Sequence, residues 1–328
     1  MPKTKAHYLF AFTLVMSSAA PALAATGLTP TARATFRSLA FHPQEPGTML
    51  VGTDDGLYQV TNIEQKPRWR RIALEGCPVS ALLFDAGADE TVLYAGTTCC
   101  GLYKFTQRRK AWHGQYVPEL GITGITSIAS DPDNPDHLFT TTAAKVFFSG
   151  SLPRTFTALP AVPDDIIVKF VLFDPFYRDY VRLGGFNNVF YRSSDSGQTW
   201  EPDPTLETYL HSWNTSTNLV TVAANTMQED TICWRAVNLL LSSDAIVAMR
   251  FHPTDRRRIL VASLGRGFTI LQRIENRWEA RTTSLVAAPI FDVAFQPGSP
   301  ETVYVAGRQN IYFTKDNGTT WTSLFGSE

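Results

Sequence analysis

Short apolar runs recur along the chain, separated by small, polar and turn-forming residues, and their order repeats. A first run ends in Phe followed by Asp, His or Gln and then Pro, as in Phe41-His42-Pro43, Phe173-Asp174-Pro175, Phe251-His252-Pro253 and Phe295-Gln296-Pro297. Ser130-Asp131-Pro132 is a near copy, and Phe84-Asp85-Ala86 has lost the Pro. A second run carries Thr, Val, Tyr and small residues up to a Gly-containing turn, as in Met49-Leu50-Val51-Gly52-Thr53 and Val92-Leu93-Tyr94-Ala95-Gly96-Thr97. A third follows (Gly56-Leu57-Tyr58, Gly101-Leu102-Tyr103, Asn310-Ile311-Tyr312), and a Trp or Phe opens a fourth. The Pro position and that aromatic stand at 43 and 69, 86 and 112, 132 and 156, 175 and 200, 253 and 278, and 297 and 321. A spacing held so closely over six copies marks a structural repeat.

Four short β-rich runs per copy, separated by turn residues, predict antiparallel four-stranded sheets. Sheets repeated in this way stack radially, so the fold class is all-β, a single β-propeller over residues 36–328. The first runs, such as Leu82-Leu83-Phe84 and Phe170-Val171-Leu172-Phe173, read as strands buried on both sides. Between Pro175 and Pro253 lie enough residues for a hidden copy, with Leu219 to Ala224 as its second strand and Thr231 to Val237 as its third. Counting it predicts seven blades, and six if Tyr209 to Ser242 is an inserted hairpin.

The first residues change the picture of where this propeller works. Lys3 and Lys5 precede an apolar stretch from Tyr8 to Met16 and an A-x-A at Ala22-Leu23-Ala24. That order predicts a signal peptide over residues 1–24, a tether over 25–35, and a periplasmic or secreted product without an integral membrane anchor. Without Lys3 and Lys5 the chain has 27 basic and 30 acidic residues, a net charge of −3. No nucleic-acid partner is expected from that balance. Cys77, Cys99, Cys100 and Cys233 lack paired metal-ligand spacing, so no metal is predicted, and the apolar core calls for no cofactor. The start of a blade's first strand and the end of its second share a face, which predicts a disulfide from Cys77 to Cys99 or Cys100, with Cys233 unpaired.

Two segments stand out between third and fourth strands: Ser193-x-Asp195-x-Gly197-x-Thr199-Trp200 and Thr314-x-Asp316-x-Gly318-x-Thr320-Trp321. Ser149 to Phe156 is a decayed third. The Asp carboxylate is expected to accept N–H bonds of its own turn, the Gly to supply positive φ, and the Trp to pack between sheets, which makes the role structural. With the F-[DH]-P and G-L-Y signatures, these segments resemble Asp-box (BNR) repeat propellers. The chain is most similar to the photosystem II assembly-factor type, with sortilin-type and xyloglucanase propellers as cousins. Nothing in the sequence points to a photosynthetic source, so that partner is not implied.

The function expected on this basis is a non-catalytic exported propeller that binds another protein and supports its assembly or stability. The alternative is a carbohydrate-active protein, a glycan-binding lectin or a glycosidase of sialidase or xyloglucanase type. Sialidases need converging arginines, for which Arg37, Arg250, Arg266 and Arg308 are available without assigning spacing. A glycosidase needs two facing carboxylates, for which Asp54, Asp55, Asp164, Asp165 and Asp292 are available. The turns between second and third strands differ most between copies, which makes one mouth the expected binding face, with Asp54, Asp55, Lys145, Asn187, Asn188, Arg266 and Arg308. An aromatic-lined pocket would favour a glycan; a broad charged face would favour a protein.

Overall fold

The computed structural model describes residues 29–31, 33–160, 162–173, 180–186, 189–203, 245–255, 257–274, 277–281, 283, 285 and 289–324. Blade 1 is β1 (Phe36–Phe41), β2 (Met49–Thr53), β3 (Gly56–Thr61) and β4 (Arg68–Ala73). Blade 2 is β5 (Val79–Phe84), β6 (Val92–Thr97), β7 (Leu102–Arg108) and β8 (Ala111–Val117). Blade 3 is β9 (Ser127–Ser130), β10 (Leu138–Thr141), β11 (Val146–Ser149) and β12 (Thr157–Ala158). Blade 4 is β13 (Val168–Phe173), β14 (Val181–Gly185), β15 (Phe190–Ser193) and β16 (Glu201–Pro202). Blade 5 is β17 (Ile246–Phe251), β18 (Arg258–Ser263), β19 (Gly267–Ile274) and β20 (Arg277–Arg281). Blade 6 is β21 (Ile290–Gln296), β22 (Ser299–Gly307), β23 (Ile311–Thr314) and β24 (Thr322–Ser323). Each is an antiparallel meander in chain order.

The first strands line the axis, and each touches the first strand of the next blade, from β1 through β5, β9, β13, β17 and β21 back to β1. Among the described residues the ring therefore closes with six blades, not the seven that the spacing predicts. The reason lies at the seam where the extra copy was expected. There Phe170, Leu172 and Phe190 of blade 4 pack directly on Ile246, Met249 and Ile259 of blade 5. The hidden copy, 209–242, lies outside the described residues, as does the expected signal peptide, 1–24.

Burial falls most heavily on the second strands. Met49 and Val51 face the cluster shared with blade 6, while Leu50 faces the one shared with blade 2. The first strands, read as buried on both sides, are half-exposed toward their ends, because one edge borders the channel. Gly52 and Gly96, read as turn residues, are inside β2 and β6. A Cβ on Gly96 would come within 2.4 Å of Ile125 Cγ2, and one on Gly52 within 2.2 Å of Ser38 Oγ and 2.7 Å of Val79. The glycines are there because the next blade approaches too closely for a side chain.

The blade 6–blade 1 seam is closed by the end of the segment expected as a tether. Thr35 bridges to Arg308, Gln309 N–H donates to Ala34 O at 3.1 Å, and Asp54 N–H donates to Thr35 O at 3.1 Å. Ala34 is buried.

Candidate functional site

A register shift gives the axis its chemistry. In five of the six first strands, pairing with the second strand skips the second residue: Arg37, Ser80, Lys169, Val247 and Phe291. Each is the extra residue of a β-bulge, which re-aims a side chain out of the alternation. All five, with Thr126 from blade 3, line a chamber of 40 Å³ at the mouth where the first strands start. Arg37 lies over the Phe291 ring at 5.5 Å, and Lys169 Nζ over the Phe186 ring at 5.3 Å.

At the opposite mouth the channel widens into a cavity of 510 Å³ lined by the ends of the first strands. Half-buried Phe41, Phe84, Phe173, Phe251 and Phe295 ring it, one from each blade except blade 3, where Ser130 takes the place. The rings are held from behind: Phe41 meets Tyr304 edge-on at 5.2 Å, Phe84 meets His42 at 5.3 Å, Phe173 meets Phe139 at 5.5 Å and Phe295 meets His252 at 5.1 Å. Among the described residues the lining has one charged side chain, Arg250, and no Asp or Glu. Arg250 pairs at 3.1 Å with Asp292, whose carboxylate also accepts the N–H groups of Leu39 at 3.0 Å and Val293 at 2.9 Å. Burial pushes the Asp292 carboxyl up, against the pull of Arg250 and those two donors.

The residues expected at the binding face are spread over the rim of the chamber mouth, and several hold the fold. Asp54 Oδ1 accepts Thr35 N–H at 3.0 Å, which makes Asp54 and Arg308 neighbours of Thr35 at one seam. Asp55 pairs with Arg71 at 3.0 Å. Lys145 and Arg266 sit in turns of blades 3 and 5, their N–H groups donating to Thr142 Oγ1 at 3.1 Å and Ser263 Oγ at 3.0 Å. Asn187 and Asn188 lie outside the described residues. Asp165 accepts the Tyr191 hydroxyl at 2.6 Å.

Asp195 accepts Thr199 N–H at 2.9 Å and Thr199 Oγ1–H at 2.6 Å, Ser193 Oγ receives Gly197 N–H at 2.8 Å, and Gly197 has φ +87°. Asp316 repeats the pattern with Thr320 N–H at 2.8 Å and Thr320 Oγ1–H at 2.6 Å, and Gly318 N–H reaches Thr314 Oγ1 at 2.9 Å. These bonds hold both carboxyls down at about 2, the Thr199 and Thr320 hydroxyls contributing most. Trp321 packs edge-on against Phe268 of blade 5, and Trp200 joins the cluster around Phe139 of blade 3. Cys77 is bonded to Cys100, with S–S 2.08 Å and Cα atoms 6.1 Å apart. Cys99 stands outside the bond, and Cys233 lies outside the described residues.

The sequence reading missed Lys169 and the two axial cavities. Its one usable signal was a polar residue second in an otherwise apolar first strand, as in Phe36-Arg37-Ser38 and Val168-Lys169-Phe170.

No protein-family model matches the chain, and no curated protein matches it in sequence. Solved structures do match in fold. A GH74 xyloglucanase from Xanthomonas campestris is similar at TM-score 0.53 and 15% identity, covering 92% of this chain and 46% of the enzyme. An ancestral GH74 enzyme is similar at 0.52 and 16%, covering 88% and 38%, and a GH74 enzyme from Niastella koreensis at 0.50 and 13%, covering 88% and 46%. The chain spans less than half the length of each. These neighbours correct the functional expectation, since they are glycoside hydrolases and favour the carbohydrate-active alternative over a non-catalytic assembly protein. At such identities the likeness itself is one of fold, a β-propeller of the kind on which xyloglucanases are built.

Proposed function

We propose that the protein is carbohydrate-active and takes up a sugar in the aromatic funnel at the ends of its first strands. The observation that carries this is the ring of Phe41, Phe84, Phe173, Phe251 and Phe295 around an open cavity of 510 Å³. That size suits a few sugar residues. Flat apolar faces in a ring, with one guanidinium at the wall, suit the C–H faces and hydroxyls of a pyranose. Hydrolysis is not assigned to the funnel, because its described lining holds no pair of carboxylates. Xyloglucan is the first glycan to try, from the name of one fold neighbour. The bonding within the Asp195 and Asp316 loops supports membership of the Asp-box propellers. The Lys3-to-Ala24 leader supports export, and with it a life among extracellular or periplasmic glycans.

The test is calorimetric titration of the purified protein with xyloglucan oligosaccharides and a panel of neutral glycans, with reducing-end release followed in parallel. Saturable binding of at least one glycan is expected. Phe84→Leu with Phe251→Leu keeps apolar volume but removes two ring faces, and should weaken binding by about tenfold. Absence of binding across the panel, or binding indifferent to both changes, would overturn the proposal. Release of reducing ends that survives the double change would put chemistry elsewhere.

A further inference from the structure

We propose that the small chamber at the other end of the axis is an oxyanion site, built by the bulge residues Arg37 and Lys169. It goes beyond the funnel reading and does not rest on it.

Blades 1 and 4 stand opposite each other in a ring of six, so Arg37 and Lys169 enter the chamber from opposite sides. The bulge fixes this: without the extra residue in β1 and β13, strict alternation would set the register of both strands differently from that observed. Phe291 and Phe186 flank the two cations, and Ser80, Thr98, Thr126, Ile125, Val247 and Leu264 complete the wall. Among the described residues no acid lines the chamber. The carboxylate beside it, Asp292, is turned to Leu39 N–H, Val293 N–H and Arg250.

Two cations facing one small chamber favour an anion, because the like charges repel each other and an anion between them offsets both. The space, 40 Å³, is roughly three times the least that holds one water, enough for a carboxylate or sulfate group but not for a whole sugar ring. The class of ligand is therefore a small oxyanion, either free or as the acidic group of a larger molecule entering from the rim. Burial pushes Lys169 down to about 8, with Arg37 and Arg250 acting the same way and Asp292 opposing them. A bound anion favours the ammonium form, so affinity should fall as pH rises through that value. Arg37 stays charged throughout.

The experiment is calorimetric titration of the purified protein with sulfate, glucuronate and glucose, in a buffer of large organic ions, at pH 6.5 and pH 9.5. Sulfate or glucuronate should bind with one site, and glucose should not enter it. Lys169→Met and Arg37→Met should each weaken binding at least tenfold, Lys169→Arg should retain binding at pH 6.5 and lose its pH dependence, and Phe251→Leu should leave binding unchanged. The Lys169→Met protein is expected to fold, since an apolar residue of similar length fits the same wall; melting curves check this. Sulfate alone would identify a free oxyanion as the ligand, and glucuronate an acidic sugar. Neither binding, or binding untouched by both Met changes, would overturn the site, whatever the funnel does with neutral glycans.

Discussion

His252 shows how one residue type can replace another when only one atom matters. Its Nδ1 accepts the N–H of Asp255 at 3.0 Å and of Thr254 at 3.3 Å, just as Asp131 Oδ1 accepts Asp133 N–H at 2.9 Å in blade 3 and Asp85 Oδ1 accepts Gly87 N–H at 3.1 Å in blade 2. His42 does the same for Glu45 N–H at 3.0 Å. The Asp/His alternation visible in the repeat is thus an exchange of acceptors in one turn. Burial, and then Arg258, hold His252 below the usual histidine range. A depressed folded pKa means that the stabilisation is complete above about 6.5 and is lost as pH falls through the folded value. We expect His252→Ala to cost about 1–2 kcal/mol at neutral pH, because two turn N–H groups lose their buried acceptor. His252→Asp should recover most of that and remove the loss on acidification, as thermal melts from pH 7 to pH 5 would record.

At the scale of strands, what decides the structure is how closely blades approach. Gly96 has no room for a methyl group beside Ile125, so Gly96→Ala should lower stability by about 1–3 kcal/mol through overpacking. The double change Gly96→Ala with Ile125→Val should recover part of it, measured by chemical denaturation. The apolar runs and the Phe-His-Pro turns made strand identity and order readable from the residues alone. The role of Gly52 and Gly96 was not readable, because a Gly before Thr looks the same whether it opens a turn or admits a neighbouring strand. The bulges were equally hidden: Arg37 and Lys169 interrupt apolar runs by one residue, and only pairing with β2 and β14 shows that they were skipped. The axial chemistry therefore could not be placed by pattern.

For the molecule as a whole, closure of the ring rests on a short clasp at the first blade. Asp54 is expected from the sequence on the binding face, yet its carboxylate and its N–H hold the two sides of Thr35. Asp54→Ala should lower the melting temperature by several degrees, about 1–2 kcal/mol, while Asp54→Asn, which keeps the acceptor, should lower it less. Differential scanning calorimetry decides between this and an inert rim charge. The sequence left six and seven blades open because length alone cannot tell an added blade from chain joining two that already touch, and contact between blades 4 and 5 selects six among the described residues. That junction is fixed on both sides. Asp203 is buried against Arg182 at 2.8 Å, and Ala245 is fully buried with its carbonyl accepting Leu264 N–H at 3.1 Å. Residues 204–244 are thus spliced into the chain between two anchored points of a ring whose blades already meet. In general, lengthening the chain between two fixed points costs little, about 0.6 kcal/mol for each doubling. In evolutionary terms, the junction of blades 4 and 5 is where chain length can change while the described ring stays closed.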